Sequence, residues 1–159
     1  MVVDNSKMKH KKTLWIAPLL WMSVIFYFSH QPGKESTQVS GWITNLLDNV
    51  ADFLNLNITG YHLHLLVRKG AHFTEFAIFG VLLFIAIYSK RKKLLSSFIA
   101  ALAAGALYGV IDEVHQYFIP GRSCQIGDML IDASGVLFAV LLCGSFVLLK
   151  RHFYFGAKS

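Results

Sequence analysis

Apolar residues fill four stretches of this chain almost without interruption, and polar residues gather between these runs and at their ends. The runs are 13–29 (TLWIAPLLWMSVIFYFS), 71–89 (AHFTEFAIFGVLLFIAIYS), 94–113 (LLSSFIAALAAGALYGVIDE) and 128–149 (DMLIDASGVLFAVLLCGSFVLL). A hydrocarbon layer about 30 Å thick takes roughly 20 residues of helix, so each run predicts a membrane span. Between the first two runs the pattern changes. Val39, Trp42, Ile43, Leu46, Leu47, Val50, Phe53 and Leu54 recur every three or four residues, with Asp48, Asn49 and Asp52 elsewhere on the wheel. That period predicts an amphipathic helix over 39–55, either flat on the membrane surface or capping the bundle. The expected fold is all-α. A single polytopic membrane domain covers 1–159, with four transmembrane helices and one interfacial helix in the first connection.

Composition agrees with the pattern. The chain is 55% hydrophobic and 15% charged, with mean hydropathy +0.51. This excludes an ordinary soluble domain and a disordered chain. Cys124 lies in a polar turn and Cys143 within an apolar run, so no disulfide framework is expected. The first run resembles a signal peptide in its basic flank. The bulky FYFSHQPG that follows has no cleavage pattern, so a retained helix is expected.

The net charge of +6 matters through its distribution. Lys7, Lys9, Lys11 and Lys12, the KRKK of Lys90–Lys93, and Lys150, Arg151 and Lys158 all fall on one side of a four-span topology. The positive-inside rule then predicts that both termini are cytoplasmic, and no nucleic-acid partner is expected. The acids gather on the other side, all except Asp4.

That gathering is the chemical clue. Arg68, His72 and Glu75 share a face of the second span. Tyr108, Asp112, His115 and Gln116 share a face of the third, with Glu113 about a quarter-turn away. Asp128 and Asp132 lie above Gly135 on the fourth. All sit at the outer ends of their helices, Glu75 and Asp132 some 5–10 Å deep at about 1.5 Å per residue. The expectation is a shallow pocket in the outer leaflet, roofed by FIPGRSCQIG. A charge at a span centre costs about 2.5–3.5 kcal/mol, less near the interface, so these groups should face one another and pair. The acids Glu75, Asp112, Glu113, Asp128 and Asp132 outnumber the cations Arg68, Lys69 and Arg122. Some carboxyl must therefore hold its proton, or a histidine be protonated, or a cation be bound.

Each residue also has a plainer reading. His72 and Glu75 are a candidate base and its orienter, or a helix-surface hydrogen bond. Arg122 suits a phosphate clamp, or a salt bridge to Asp128. Asp128 also suits a helix N-terminus, where the dipole favours it. Ser123 is a weak nucleophile candidate with no assigned base. No resident metal or cofactor is expected. Asp112, Glu113 and His115 offer donors suited to zinc or manganese, but no spacing is as diagnostic as H-E-x-x-H. Gly105 and Gly109 form a GxxxG that suits close helix approach, within the chain or in a homo-oligomer.

Three motifs together carry a family resemblance: FSHQPG ending the first run, RKGAHFTEFAIFG opening the second, and DEVHQYFIPGRSCQIGDMLIDASG joining the third and fourth. They resemble the VanZ-like family, small multi-span bacterial membrane proteins named for a member that lowers susceptibility to teicoplanin. The family pattern matches Ser29, Gln31, Arg68, Lys69, His72, Glu75, Asp112, Glu113, Gln116, Arg122, Asp128 and Gly135. Asp132 stands where Asn is common, and Phe76 where Tyr is common. The resemblance implies a plasma-membrane protein with a link to glycopeptide resistance. Added to the pocket, it yields the leading expectation, a protein that binds or modifies a lipid headgroup or cell-wall precursor. Arg68, Lys69, Gln116, Arg122, Ser123 and Asp132 would bind the ligand. His72, Glu75, Asp112, Glu113, His115 and Asp128 would orient it or do acid–base chemistry. Expected partners are membrane lipids and a precursor or lipoglycopeptide. The rival is a non-enzymatic scaffold whose charges form a structural network. A transporter is disfavoured, because the inner halves of the runs lack ionisable groups.

Overall fold

The computed structural model describes residues 13–54 and 60–156. Five helices follow in order: α1 (Ile16–Ser29), α2 (Gly33–Phe53), α3 (Gly60–Arg91), α4 (Leu94–Tyr117) and α5 (Ile126–Gly156). No strand occurs among the described residues. The three helices α3, α4 and α5 are long and apolar enough to cross a membrane, and α1 is a shorter apolar helix. The basic residues Lys7–Lys12 and Lys158, on which the charge asymmetry partly rests, lie outside the described residues.

The helices overrun the apolar runs. Helix α3 begins at Gly60, well before 71. Helix α4 continues past 113 to Tyr117, and α5 spans 126–156 where 128–149 was expected. Hydropathy marks where a helix can meet lipid, whereas backbone hydrogen bonding continues through polar residues such as Arg68, Lys69, Lys150 and Arg151. Helix α2 starts six residues earlier than its apolar period. Pro32 sits at its N-cap with φ −53°, already suited to helix entry and lacking an N–H that would go unsatisfied. Residue 55, the expected end of that helix, lies outside the described residues.

The basic connection between α3 and α4 also ends a helix. Lys92 takes φ +56°, the left-handed turn that closes many helix C-termini, and its N–H reaches the Tyr88 carbonyl at 2.9 Å.

Helices α3 and α5 run parallel in one register. Arg68 meets Asp128, His72 meets Asp132 and Tyr88 meets Arg151. Gly135 sets how near they come, since a Cβ there would collide with the Phe73 carbonyl. Below the polar end, Phe76, Phe79, Leu83, Phe84 and Ile87 of α3 form an apolar core with Ala101 of α4 and Val136 and Val140 of α5. The GxxxG face is consumed within this core. Gly105 lies against Val136 and Gly109 against Asp132, so this face is not available to a second copy of the chain.

Helix α1 is tied in by two long-range hydrogen bonds, Trp21 Nε1–H to the Glu75 carbonyl (2.9 Å) and Tyr108 O–H to the Met22 carbonyl (2.8 Å). Helix α2 packs along α3. Thr44 is buried there, while Trp42, Leu46, Val50 and Phe53 remain exposed.

Candidate functional site

One end of the bundle concentrates the buried polar side chains. His72 from α3, Asp112, Glu113 and Gln116 from α4, and Asp128 and Asp132 from α5 are all buried. Helical spacing places them there. His72 lies one turn beyond Arg68, Gln116 one turn beyond Asp112, and Asp132 one turn beyond Asp128, so each helix turns a polar face inward.

Two subsets differ in how they are satisfied. Asp128 accepts from Arg68 Nη2 at 2.9 Å and from Lys69 Nζ at 3.0 Å, one cation on each oxygen. It lies in the first turn of α5, where the helix dipole adds to the attraction. The suggested Arg122–Asp128 bridge is thus replaced by two cations from α3.

One turn deeper, Asp132 Oδ1 meets His72 Nδ1 at 3.0 Å. Asp112 Oδ2 accepts from Gln116 Nε2 at 2.9 Å, and Glu113 Oε2 from the Gln125 backbone N–H at 2.8 Å. Two oxygens of this group, Glu113 Oε1 and Asp132 Oδ2, are buried with no hydrogen-bond partner. His72, Asp112, Glu113 and Asp132 each bring one donor atom to within 4.8 Å of all the others. The expected pairing of His72 with Glu75 is not formed, since the imidazole turns to Asp132 instead.

A cavity of about 250 Å³ opens beside this cluster. Its polar wall includes Arg68, His72, Glu75, Asp112, Gln116 and Arg122, and its apolar wall includes Ile25, Phe28, Ile43 and Val67. The 118–125 connection closes one side. Gly121 takes φ +76°, and the Pro120 carbonyl accepts the Gly33 N–H at 3.1 Å. Arg122 donates to the Phe28 carbonyl at 3.0 Å and the Gln31 carbonyl at 3.2 Å, with a longer contact of 3.4 Å to Gln116 Oε1. This loop therefore stitches α4 to the α1–α2 junction. Burial, with repulsion from Arg68, lowers the Arg122 pKa from its usual value; a guanidinium still stays charged at neutral pH.

Not every expected residue joins the site. His115 contacts the His30 ring nitrogen at 3.3 Å and packs on Phe26, instead of offering a donor beside Asp112 and Glu113. Ser123 is exposed and accepts from Gln125 Nε2. Lys69 serves Asp128 and does not line the cavity. Conversely, Ser40 and Ile43 of α2 line the cavity. Their positions on an amphipathic helix carried no sign of it, because a wheel shows which residues share a face and not what that face meets. The Gln125 backbone N–H was equally invisible, being a main-chain group.

Comparison with known proteins follows the same line. The model of the VanZ/LLP1 family matches residues 14–149, most of the chain, and the chain belongs to that family. With three helices able to cross a membrane, it is a membrane protein. No curated protein and no solved structure gives a significant match.

Proposed function

We propose that this VanZ-family protein spans the bacterial plasma membrane four times, termini inside, and holds an anionic headgroup in an outer-leaflet cavity. The headgroup would belong to a phospholipid or a lipid-linked cell-wall precursor, which would connect the protein to glycopeptide susceptibility. One observation carries the reading. The cavity combines two guanidinium groups, Arg68 and Arg122, with an apolar wall of Ile25, Phe28, Ile43 and Val67. A phosphate on an acyl or prenyl chain needs both halves, bidentate donors for the oxygens and an apolar flank for the chain. The exposed Trp42, Leu46, Val50 and Phe53 of α2 fit a helix lying in the outer leaflet and beside the entrance. In an enzymatic version, headgroup hydrolysis or transfer, Glu75 is the acid–base group best placed. It lines the cavity, and its carboxylate makes no ion pair with another described side chain.

A scaffold without chemistry is supported by a different observation, that both guanidinium groups already have protein partners. Native mass spectrometry of the detergent-solubilised protein separates binding from no binding. Phosphatidic acid and a polyprenyl phosphate should be retained and diacylglycerol should not. Arg122→Gln should weaken phosphate retention about tenfold, the loss of one or two charge-assisted hydrogen bonds. Equal retention of diacylglycerol and phosphatidic acid would overturn the proposal. Glu75→Gln then decides between enzyme and scaffold. A stable, lipid-binding variant that fails to restore envelope lipid composition in cells supports chemistry, and full restoration supports the scaffold.

A further inference from the structure

We propose that His72, Asp112, Glu113 and Asp132 form a binding site for one divalent transition-metal cation of the zinc or manganese type. The observation comes from the cluster itself. Four buried side chains from three helices bring one donor atom each to within 4.8 Å of one another. Donors about 2.0–2.2 Å from a shared ion stand at most about 4.4 Å apart. Around a tetrahedral ion they stand about 3.4–3.6 Å apart, so a pair at the 4.8 Å limit must draw together by about 1.2–1.4 Å, roughly 0.6–0.7 Å from each side.

The orphan oxygens supply an independent argument. Glu113 and Asp132 are 0% exposed, and Glu113 Oε1 and Asp132 Oδ2 have no hydrogen-bond partner. A buried charged acceptor left without a partner is strongly unfavourable. The second oxygen of each carboxylate is held, Glu113 Oε2 by the Gln125 N–H and Asp132 Oδ1 by His72. Asp112 is oriented likewise through Gln116. One oxygen fixed and the other unpartnered, as in Glu113 and Asp132, is how outer partners leave a carboxylate ready for a metal. With Nδ1 of His72 turned to Asp132, Nε2 is the ring nitrogen left for the ion.

Charge points the same way. Among the described side chains, the one group able to carry positive charge in hydrogen-bonding contact with these three carboxylates is His72, on Asp132. Arg68 and Lys69 are engaged by Asp128, and Arg122 by the Phe28 and Gln31 carbonyls and Gln116. A dication would offset most of that charge, of which a single imidazolium could offset only one unit. One imidazole with carboxylates suits manganese or zinc better than a thiolate-seeking ion. Because His72 and Asp112 also line the cavity, the ion would stand at its wall, where it could polarise a phosphate oxygen. Only this last step rests on the headgroup reading; the ion site does not.

The test uses the full chain, purified in detergent without a histidine tag. After EDTA treatment and removal of the chelator, the protein is titrated with MnCl2 or ZnCl2, with MgCl2 as control, and followed by calorimetry, thermal unfolding and elemental analysis. About one ion per chain should bind, with a rise in unfolding temperature. Glu113→Gln and Asp132→Asn should each weaken binding at least tenfold, while Asp128→Asn, outside the donor set, should not. Failure of the wild-type protein to bind either ion, or unchanged binding in both cluster variants, would overturn the site. If a cluster variant does not fold, the wild-type titration still decides. Phosphatidic acid retained by a protein that takes up neither ion would overturn the ion site and leave the headgroup reading standing. An ion bound with no lipid retained would do the reverse.

Discussion

Asp128 and Asp132 are the same residue type, one turn apart on α5 and equally buried, at 1% and 0% exposure. Their surroundings separate them. Asp128 has a cation on each oxygen, and both cations are partly open to water, at 37% and 40% side-chain exposure. Asp132 shares one oxygen with His72, leaves the other unpartnered, and sits with Asp112 and Glu113. The first arrangement is complete within the chain and fastens α3 to α5. The second brings three carboxyl groups together around a single histidine. A charged cluster at one end of a bundle can therefore contain both a fastening and a binding site, told apart by which atoms are left over.

The largest test of this contrast removes the cations from the fastening. Arg68→Gln with Lys69→Gln leaves Asp128 buried and uncompensated, which should cost about 3–5 kcal/mol and lower the unfolding temperature in detergent sharply. An unchanged unfolding temperature would mean that Asp128 is no fastening. The reverse exchange, Asp128→Asn, should cost less, about 1–2 kcal/mol, because the orphaned Arg68 and Lys69 can turn to water. Next in size is Gly135→Ala. Its added methyl would meet the Phe73 carbonyl, so α3 and α5 must move apart at a cost of about 1–3 kcal/mol. Since both aspartates meet α3 in one register, this variant should weaken the fastening and metal binding together. Loss of one without the other would show that they are positioned independently.

The sequence disclosed part of this arrangement. Apolar runs located α1, α3, α4 and α5, because burial in lipid needs continuous apolar surface. Their ends were less legible, since Arg68, Lys69 and His72 extend α3 without being apolar. Helical spacing correctly grouped Arg68 with His72, Asp112 with Gln116, and Asp128 with Asp132. What spacing within a helix cannot specify is register between helices. Hence, of the two readings open for Arg122, the salt bridge to Asp128, six residues on, is not formed, and the α3 cations reach Asp128 across the parallel α3–α5 contact. His115 failed for a related reason. It shares a face with Asp112, but α1 arrives beside it and offers His30 and Phe26. The two orphan oxygens could not be read from sequence, because they are defined by what their neighbours do not supply.

The smallest effect sharpens the comparison most. In EDTA, Asp132→Asn should change stability by about 1 kcal/mol or less and is expected to be neutral or stabilising. The exchange keeps the side-chain shape. It removes one charge from a group that holds Asp112 and Glu113 as well, which relieves repulsion among the three. The hydrogen bond to His72 survives with the amide in the role that the imidazole tautomer requires. Against this, Asp128→Asn loses two charge-assisted contacts. Chemical unfolding of the two variants side by side, both in EDTA, measures the difference directly. If Asp132→Asn proves the more damaging, the deeper aspartate is itself a fastening, and its unpartnered oxygen is no sign of a missing ion. If manganese or zinc then reverses the order, stabilising the wild-type protein and not Asp132→Asn, two aspartates one turn apart hold different things: α5 to α3 in one case, a cation to the protein in the other.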